Sequence, residues 1–143
     1  MAITFSYADR QLTLKGKRRL KQFIASLFCT EGSRLNELSF VFCSDDYLLN
    51  INQRFLKHDF YTDIITFDLR LSSDEPVTGE VYISVDRVRE NSKDLNTVFS
   101  EELLRVIFHG ALHLCGYKDK RKSEILLMRQ KEGEYLRLYQ QTT

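Results

Sequence analysis

The sequence predicts one α+β domain: a mixed four-stranded sheet covered by helices, with a metal-binding helix near the C-terminus. Three observations point there. Strand-like apolar runs alternate with amphipathic helical periods along 143 residues, with no internal repeat and no low-complexity break, and that length fits one domain. Two strand-like runs, 64–69 and 81–85, flank a polar loop, 71–79, that holds the only proline; this is a hairpin signal and predicts antiparallel neighbours. Two of the three histidines, His109 and His113, stand four residues apart on an apolar periodic stretch.

In chain order, residues 2–7 alternate apolar and small polar types (Ile3, Phe5, Tyr7), the period of a strand. From about residue 10 the spacing turns helical, with Leu20, Phe23, Ile24, Leu27 and Phe28 on one face, until Glu31-Gly32-Ser33 breaks it. The run 38–43 is nearly continuous in apolar residues and predicts a strand buried on both faces. Asp45 and Asp46 offer capping chemistry to a helix ending near residue 55, and Lys57-His58-Asp59 is a polar connection. A short helix from Asp86 follows the hairpin, and a polar break at 91–97 leads into the histidine helix, with Asn96 or Thr97 as its cap. Ser123 caps a final amphipathic helix that docks through Ile125, Met128, Leu136 and Tyr139. Gly133 weakens its middle by about 1 kcal/mol relative to alanine.

Composition narrows the class. With 43% hydrophobic and 29% charged residues the chain is an ordinary globular protein, not a disordered one. Three cysteines, an odd number without Cys-x-x-Cys spacing, argue for a reducing, cytoplasmic setting. No secretory signal pattern and no apolar run of about 18 residues is present, so no membrane is expected. A net charge of +1 does not announce nucleic-acid binding, but the cations cluster. Lys15, Lys17, Arg18, Arg19 and Lys21 crowd one helix start, and Lys118, Lys120, Arg121 and Lys122 surround Asp119. Such runs are commonly solvated faces; beside a metal, cations hold a phosphate backbone.

The chemistry centres on 108–120. At about 100° per residue, His109 and His113 share a helix face one turn apart. Gly116 ends the helix by tolerating the left-handed conformation, and Asp119, arriving on the turn back, supplies a third ligand. Two histidines on one face also suit surface or hydrogen-bonded core positions; the Gly-Tyr turn and the acid that follows favour one divalent metal ion. Zinc proteases place a glutamate directly after the first histidine, whereas here that position is Gly110, which also permits close approach of another element or a substrate. Asp63 either orients a ligand histidine or caps its own turn, and His58 contacts phosphate, carries a proton, or does neither.

His109-Gly110-x-x-His113-Leu114-x-Gly116-Tyr117 resembles the signature of the bacterial YbeY family of metal-dependent endoribonucleases, which act in ribosomal RNA maturation. That signature continues Gly-Tyr-Asp-His and takes its third ligand from the last histidine; here Lys118 replaces the acid and Asp119 the histidine. Two histidines and a carboxylate form a recognised zinc set, while the added charge shifts preference toward manganese or magnesium. The stretch Asp59-Phe60-Tyr61-Thr62-Asp63-Ile64-Ile65-Thr66-Phe67 is similar to the family's Asp-x-Pro-Thr-Asp-Val-Leu-Ser-Phe segment, with Tyr61 at the proline. Gly79 through Asp86 is similar to its Gly-Asp-Ile-x-Ile-Ser strand. Leu56 stands where the family has an arginine linked to activity, and His58 where it has a lysine.

The resemblance implies a single-strand endoribonuclease working on ribosomal RNA, with the ribosome or ribosomal proteins as partners, as a monomer or weak oligomer. One divalent ion, zinc first, on His109, His113 and Asp119 would activate a water against a phosphodiester. Lys57, His58, Arg105, Lys118 and Lys120 would meet the substrate and its developing charge. Two alternatives are a non-catalytic ribosome-assembly RNA-binding protein with a structural metal, and a metal-dependent hydrolase of amide or ester bonds.

Overall fold

Three strands of the sheet run in one direction and the fourth is turned back beside them. The computed structural model describes residues 2–141. Along the chain it places β1 (Ile3–Tyr7), α1 (Lys17–Thr30), β2 (Leu35–Cys43), α2 (Asp45–Phe55), β3 (Ile64–Asp68), β4 (Val77–Ser84), α3 (Val85–Asp94), α4 (Phe99–Leu114) and α5 (Lys122–Gln141). The sheet order is β1-β2-β4-β3, with β1, β2 and β4 parallel and β3 antiparallel to β4. The mixed four-stranded α+β fold and the antiparallel hairpin are as the sequence predicts. β3 is an edge strand, and the histidine helix α4 contacts it and β4.

Burial on the sheet is one-sided. Leu38, Phe40 and Phe42 of β2 are fully buried, whereas Ser39 and Val41 between them are only half-buried. The expectation of a strand covered on both faces therefore fails over most of β2. On the second face α2 packs against β3 and β4, sealing a small cluster of Cys43, Leu48 and Ile65. The main core forms where α1, α3 and α5 gather around α4, whose Ile107, Phe108, Ala111 and Leu112 have no exposed surface.

Local signals were redistributed in several places. The first helix starts at Lys17, not near residue 10, with Gly16 (φ 62°) in front of it. The segment before it is held by tertiary bonds instead. Asp9 accepts the backbone N–H and the hydroxyl of Ser44 at 2.7 and 2.6 Å, and Arg10 pairs with Asp86 at 3.0 Å. Ser44, not Asp45 or Asp46, caps α2 by accepting the Tyr47 N–H, and the two aspartates occupy the first turn, where the helix dipole favours them. Asn96 does not start α4. At φ 57° it closes α3, where Asn96 N–H reaches Lys93 O and Thr97 N–H reaches Ser92 O; α4 begins after Val98 without a side-chain cap. Ser123 lies inside α5, and the Glu124 carboxylate accepts the Arg121 N–H just before the helix, which is half of a capping box. Met128, Leu136 and Tyr139 dock as expected, but Ile125 is 43% exposed at the rim of a cleft.

Candidate metal centre

The end of α4 is built by its backbone. Gly116, at φ +106°, lets Gly116 N–H bond to His113 O and Tyr117 N–H to Leu112 O, the paired closure of a left-handed helix terminus. The turn brings the Tyr117 carbonyl to 2.9 Å from His113 Nδ1. One turn earlier, His109 Nδ1 lies 2.5 Å from Glu132 Oε2, on α5. A carbonyl and a carboxylate can only accept, so both imidazoles donate from Nδ1 and, when neutral, present a lone pair at Nε2. Those two lone pairs face one carboxylate oxygen. Asp119 Oδ2 is 3.2 Å from His109 Nε2 and 3.3 Å from His113 Nε2.

Neutral imidazoles and a carboxylate converge only on a shared cation, either a proton on the ring or a metal ion. Two ligands bound tetrahedrally at about 2.0–2.1 Å stand about 3.3 Å apart, which matches both separations. The donor set therefore fits a divalent ion, and His109, His113 and Asp119 form a group that could hold one.

The centre opens onto two clefts. One, of about 290 Å³, runs between α4 and α5 and is lined by Asp63, Glu102, Arg105, Arg129 and Glu132 beside His109 and Asp119. The other, of about 600 Å³, follows the edge strand β3 past Leu56, His58, Phe60 and Asp63 to His113, Asp119 and Lys120. Burial pushes the Asp63 carboxyl above the ordinary aspartate range, opposed by the His109 charge. Burial also raises Glu102, with Arg105 opposing. For His109 burial acts downward, yet the Glu132 hydrogen bond and charge, with Asp119 and Asp63 behind them, outweigh it and raise the imidazole above 6.5.

Of the residues singled out from sequence, His109, His113 and Asp119 come together, and Asp63 lines both clefts. Arg105 reaches the α4–α5 cleft, where its guanidinium sits 3.7 Å from Glu132 and 3.9 Å from Glu102. His58 and Lys120 line the β3 cleft, as does Leu56. Lys57 and Lys118 are exposed and line neither cleft. Gly110 does admit close approach, and the element that approaches is the sheet: a Cβ there would lie 2.8 Å from Val81 Cγ1 and 3.1 Å from Ile64 Cδ1.

Sequence reasoning missed Glu132 and Glu102, two carboxylates that are 5% and 6% exposed. The signal for Glu132 was present: it falls four residues after Met128 and four before Leu136, an acid inside the apolar stripe of α5.

The chain is thus an α+β domain with a His-His-Asp group, able to hold a metal ion, at the meeting of two clefts. The chain matches the family model described as endoribonuclease YbeY over residues 4–140, and it belongs to that family. Its relatives include proteins named endoribonuclease YbeY from Flavobacterium psychrophilum, 43% identical over 96% of each chain, and from Christiangramia forsetii, 42% identical over 93% of this chain and 92% of the other. A solution structure of a Thermotoga maritima protein has the same fold, with a TM-score of 0.66 and 28% identity, covering 96% of this chain and 88% of the other. Among the described residues, no helix is long and apolar enough to cross a membrane.

Proposed function

We propose that this chain is a metal-dependent endoribonuclease that cuts unpaired segments of ribosomal RNA during ribosome maturation. It works in the cytoplasm with the ribosome or ribosomal proteins as partner. One observation carries the reading: in a YbeY-family chain, two histidine Nε2 atoms with their Nδ1 atoms already engaged converge on Asp119 where two clefts meet. The relatives named endoribonuclease YbeY supply the activity.

A divalent ion held by His109, His113 and Asp119, with zinc the first choice, would polarise a phosphate oxygen and acidify a bound water. The protein supplies the rest. Glu132 and the Tyr117 carbonyl hold the two imidazoles in the ligating tautomer. Asp63 lines both clefts beside His109 and Asp119, which places a carboxyl group at their junction. Lys120 lines the β3 cleft, and Arg105 and Arg129 line the other, where cations attract a phosphate backbone.

An amide or ester hydrolase is disfavoured, because position 110 faces Val81 and Ile64 and offers no base. A binding protein with a structural ion keeps one observation, the apolar Leu56 in the β3 cleft. Metal content by mass spectrometry on wild type, His109→Ala and Asp119→Ala, followed by cleavage of labelled single-stranded RNA, separates the readings. The expected result is about one ion per chain, lost in both variants together with cleavage. Metal-loaded protein that binds RNA and ribosomal subunits without cutting favours the binding protein.

A further inference from the structure

Three aromatic residues, His58, Phe60 and Tyr61, stand in the connection between α2 and β3, and the first two line the cleft that leads to the His109–His113–Asp119 group. Phe60 is 57% exposed and Tyr61 49% exposed. The His58 and Phe60 rings stack, with centroids 5.2 Å apart and planes inclined by 20°. Both residues line the β3 cleft together with His109, His113, Asp119 and Lys120.

The backbone carrying these rings is fixed from beneath. Asn52, 2% exposed, donates its side-chain amide to Phe60 O at 2.9 Å, and its backbone carbonyl accepts the His58 N–H at 3.1 Å. Gln53 donates to Asp59 at 2.5 Å, and the Tyr61 hydroxyl donates to Asp46 at 3.2 Å. The small core cluster of Cys43, Leu48 and Ile65 packs against Ile51, Phe67 and Tyr82, and neither stacked ring belongs to it. The backbone beneath Phe60 is thus anchored by a buried asparagine, and the stacked rings stand in the cleft.

We propose that His58 and Phe60 form a stacking platform for an unpaired nucleobase, seating the strand so that a neighbouring phosphate reaches the His109–His113–Asp119 group. The inference rests on the endoribonuclease reading above. Ring faces take the face of any base and read no edge, so the platform tolerates sequence. It does select strandedness, because bases within a duplex are stacked on one another and offer no free face. Lys120 in the same cleft is a cation suited to a flanking phosphate.

The chain contains no tryptophan, so Phe60→Trp places a single, selectively excited tryptophan in the platform. The variant, as isolated, is titrated with a single-stranded phosphorothioate RNA that resists cutting, while a labelled copy reports binding by anisotropy. The expected result is saturable quenching by the single strand and none by a duplex of the same sequence. Phe60→Leu, apolar but without a ring face, should bind RNA about tenfold more weakly, and Phe60→Tyr should bind as wild type does. RNA bound without quenching, or equal binding by Phe60→Leu, overturns the platform alone. Quenching by a peptide and not by RNA assigns the rings to a protein partner and overturns it too. Wild-type protein that neither binds nor cuts RNA overturns the endoribonuclease reading and the platform together.

Discussion

Glu132 holds His109 from the far side of the metal centre, and its removal should be felt as lost metal affinity while the fold persists. Glu132→Gln keeps an acceptor near His109 Nδ1 and deletes the charge; Glu132→Ala deletes both. A hydrogen bond to a charged group contributes about 1.5–3 kcal/mol net. Loss of a partner behind a ligand histidine costs about 10- to 100-fold in metal affinity, or roughly 1.4–2.7 kcal/mol, so the two scales agree. Glu132→Gln should lie near the lower figure and Glu132→Ala near the upper. Arg105 is not stranded by either change, because Glu102 remains 3.9 Å away. The assay is competition with a chromophoric chelator across pH. Binding requires neutral imidazole, so wild-type affinity should rise with pH through the His109 pKa, which Glu132 holds above 6.5. In Glu132→Gln that rise should end at lower pH and reach a lower plateau. Metal-free stability runs the opposite way. A raised histidine pKa contributes stability that is complete below 6.5 and lost as pH climbs through the folded value, and Glu132→Gln should flatten that loss. A folded Glu132→Ala protein with wild-type metal affinity at all pH values would refute the positioning role.

Three further outcomes follow from single contacts. Asp119→His removes a carboxylate from the ligand group and should raise the preference for zinc over manganese, read as the bound ratio from an equimolar mixture; an unchanged ratio argues that Asp119 is not a ligand. Gly110→Ala forces a Cβ to 2.8 Å from Val81 and should cost about 1–3 kcal/mol in urea unfolding, with an unmoved midpoint counting against close helix–sheet contact. Glu31 accepts hydroxyls from Tyr117 and Tyr135, so Glu31→Ala should cost about 1–3 kcal/mol at neutral pH. Although burial acts upward on Glu31, the two tyrosine bonds and Lys131 hold it below 4.5; its contribution is therefore present above 4.5 and lost as pH falls through the depressed value, a drop that Glu31→Gln should not share. A parallel acid titration of both proteins tests this.

The parts of the fold legible in the sequence were those written in local periodicity. The hairpin of β3 and β4, the apolar face of α1 and the span of α4 could be read because spacing and turn chemistry reside in the segment itself. Cap identity was less legible. Ser44 and Asp45 are both good caps, and Asp9 from a remote segment favours the serine. The same holds for Asn96, whose left-handed tolerance serves the helix before it as readily as the one after. At the centre, His109, His113 and Asp119 lie within one stretch and could be grouped from spacing. Glu132 comes from another helix, so only its place in an apolar stripe hinted at it. The charges named as substrate contacts were the least legible, because sequence proximity to Asp119 does not say which side chain enters a cleft, as Lys118 and Lys120 illustrate.

The closeness of α4 to the sheet at Gly110 limits what this scaffold can become. Adjacent helix positions differ by about 100°, so when His109 looks toward the ligand group its successor looks into Val81 and Ile64. A glutamate installed at 110 would enter an apolar layer with no room even for a methyl group, rather than reach a substrate. The route by which a His-x-x-x-His helix acquires a peptidase-type base is closed here by packing, whatever the selection for activity. New chemistry at this centre has to be recruited from the cleft walls, where Asp63 and Glu102 already stand, or from the bound ligand itself.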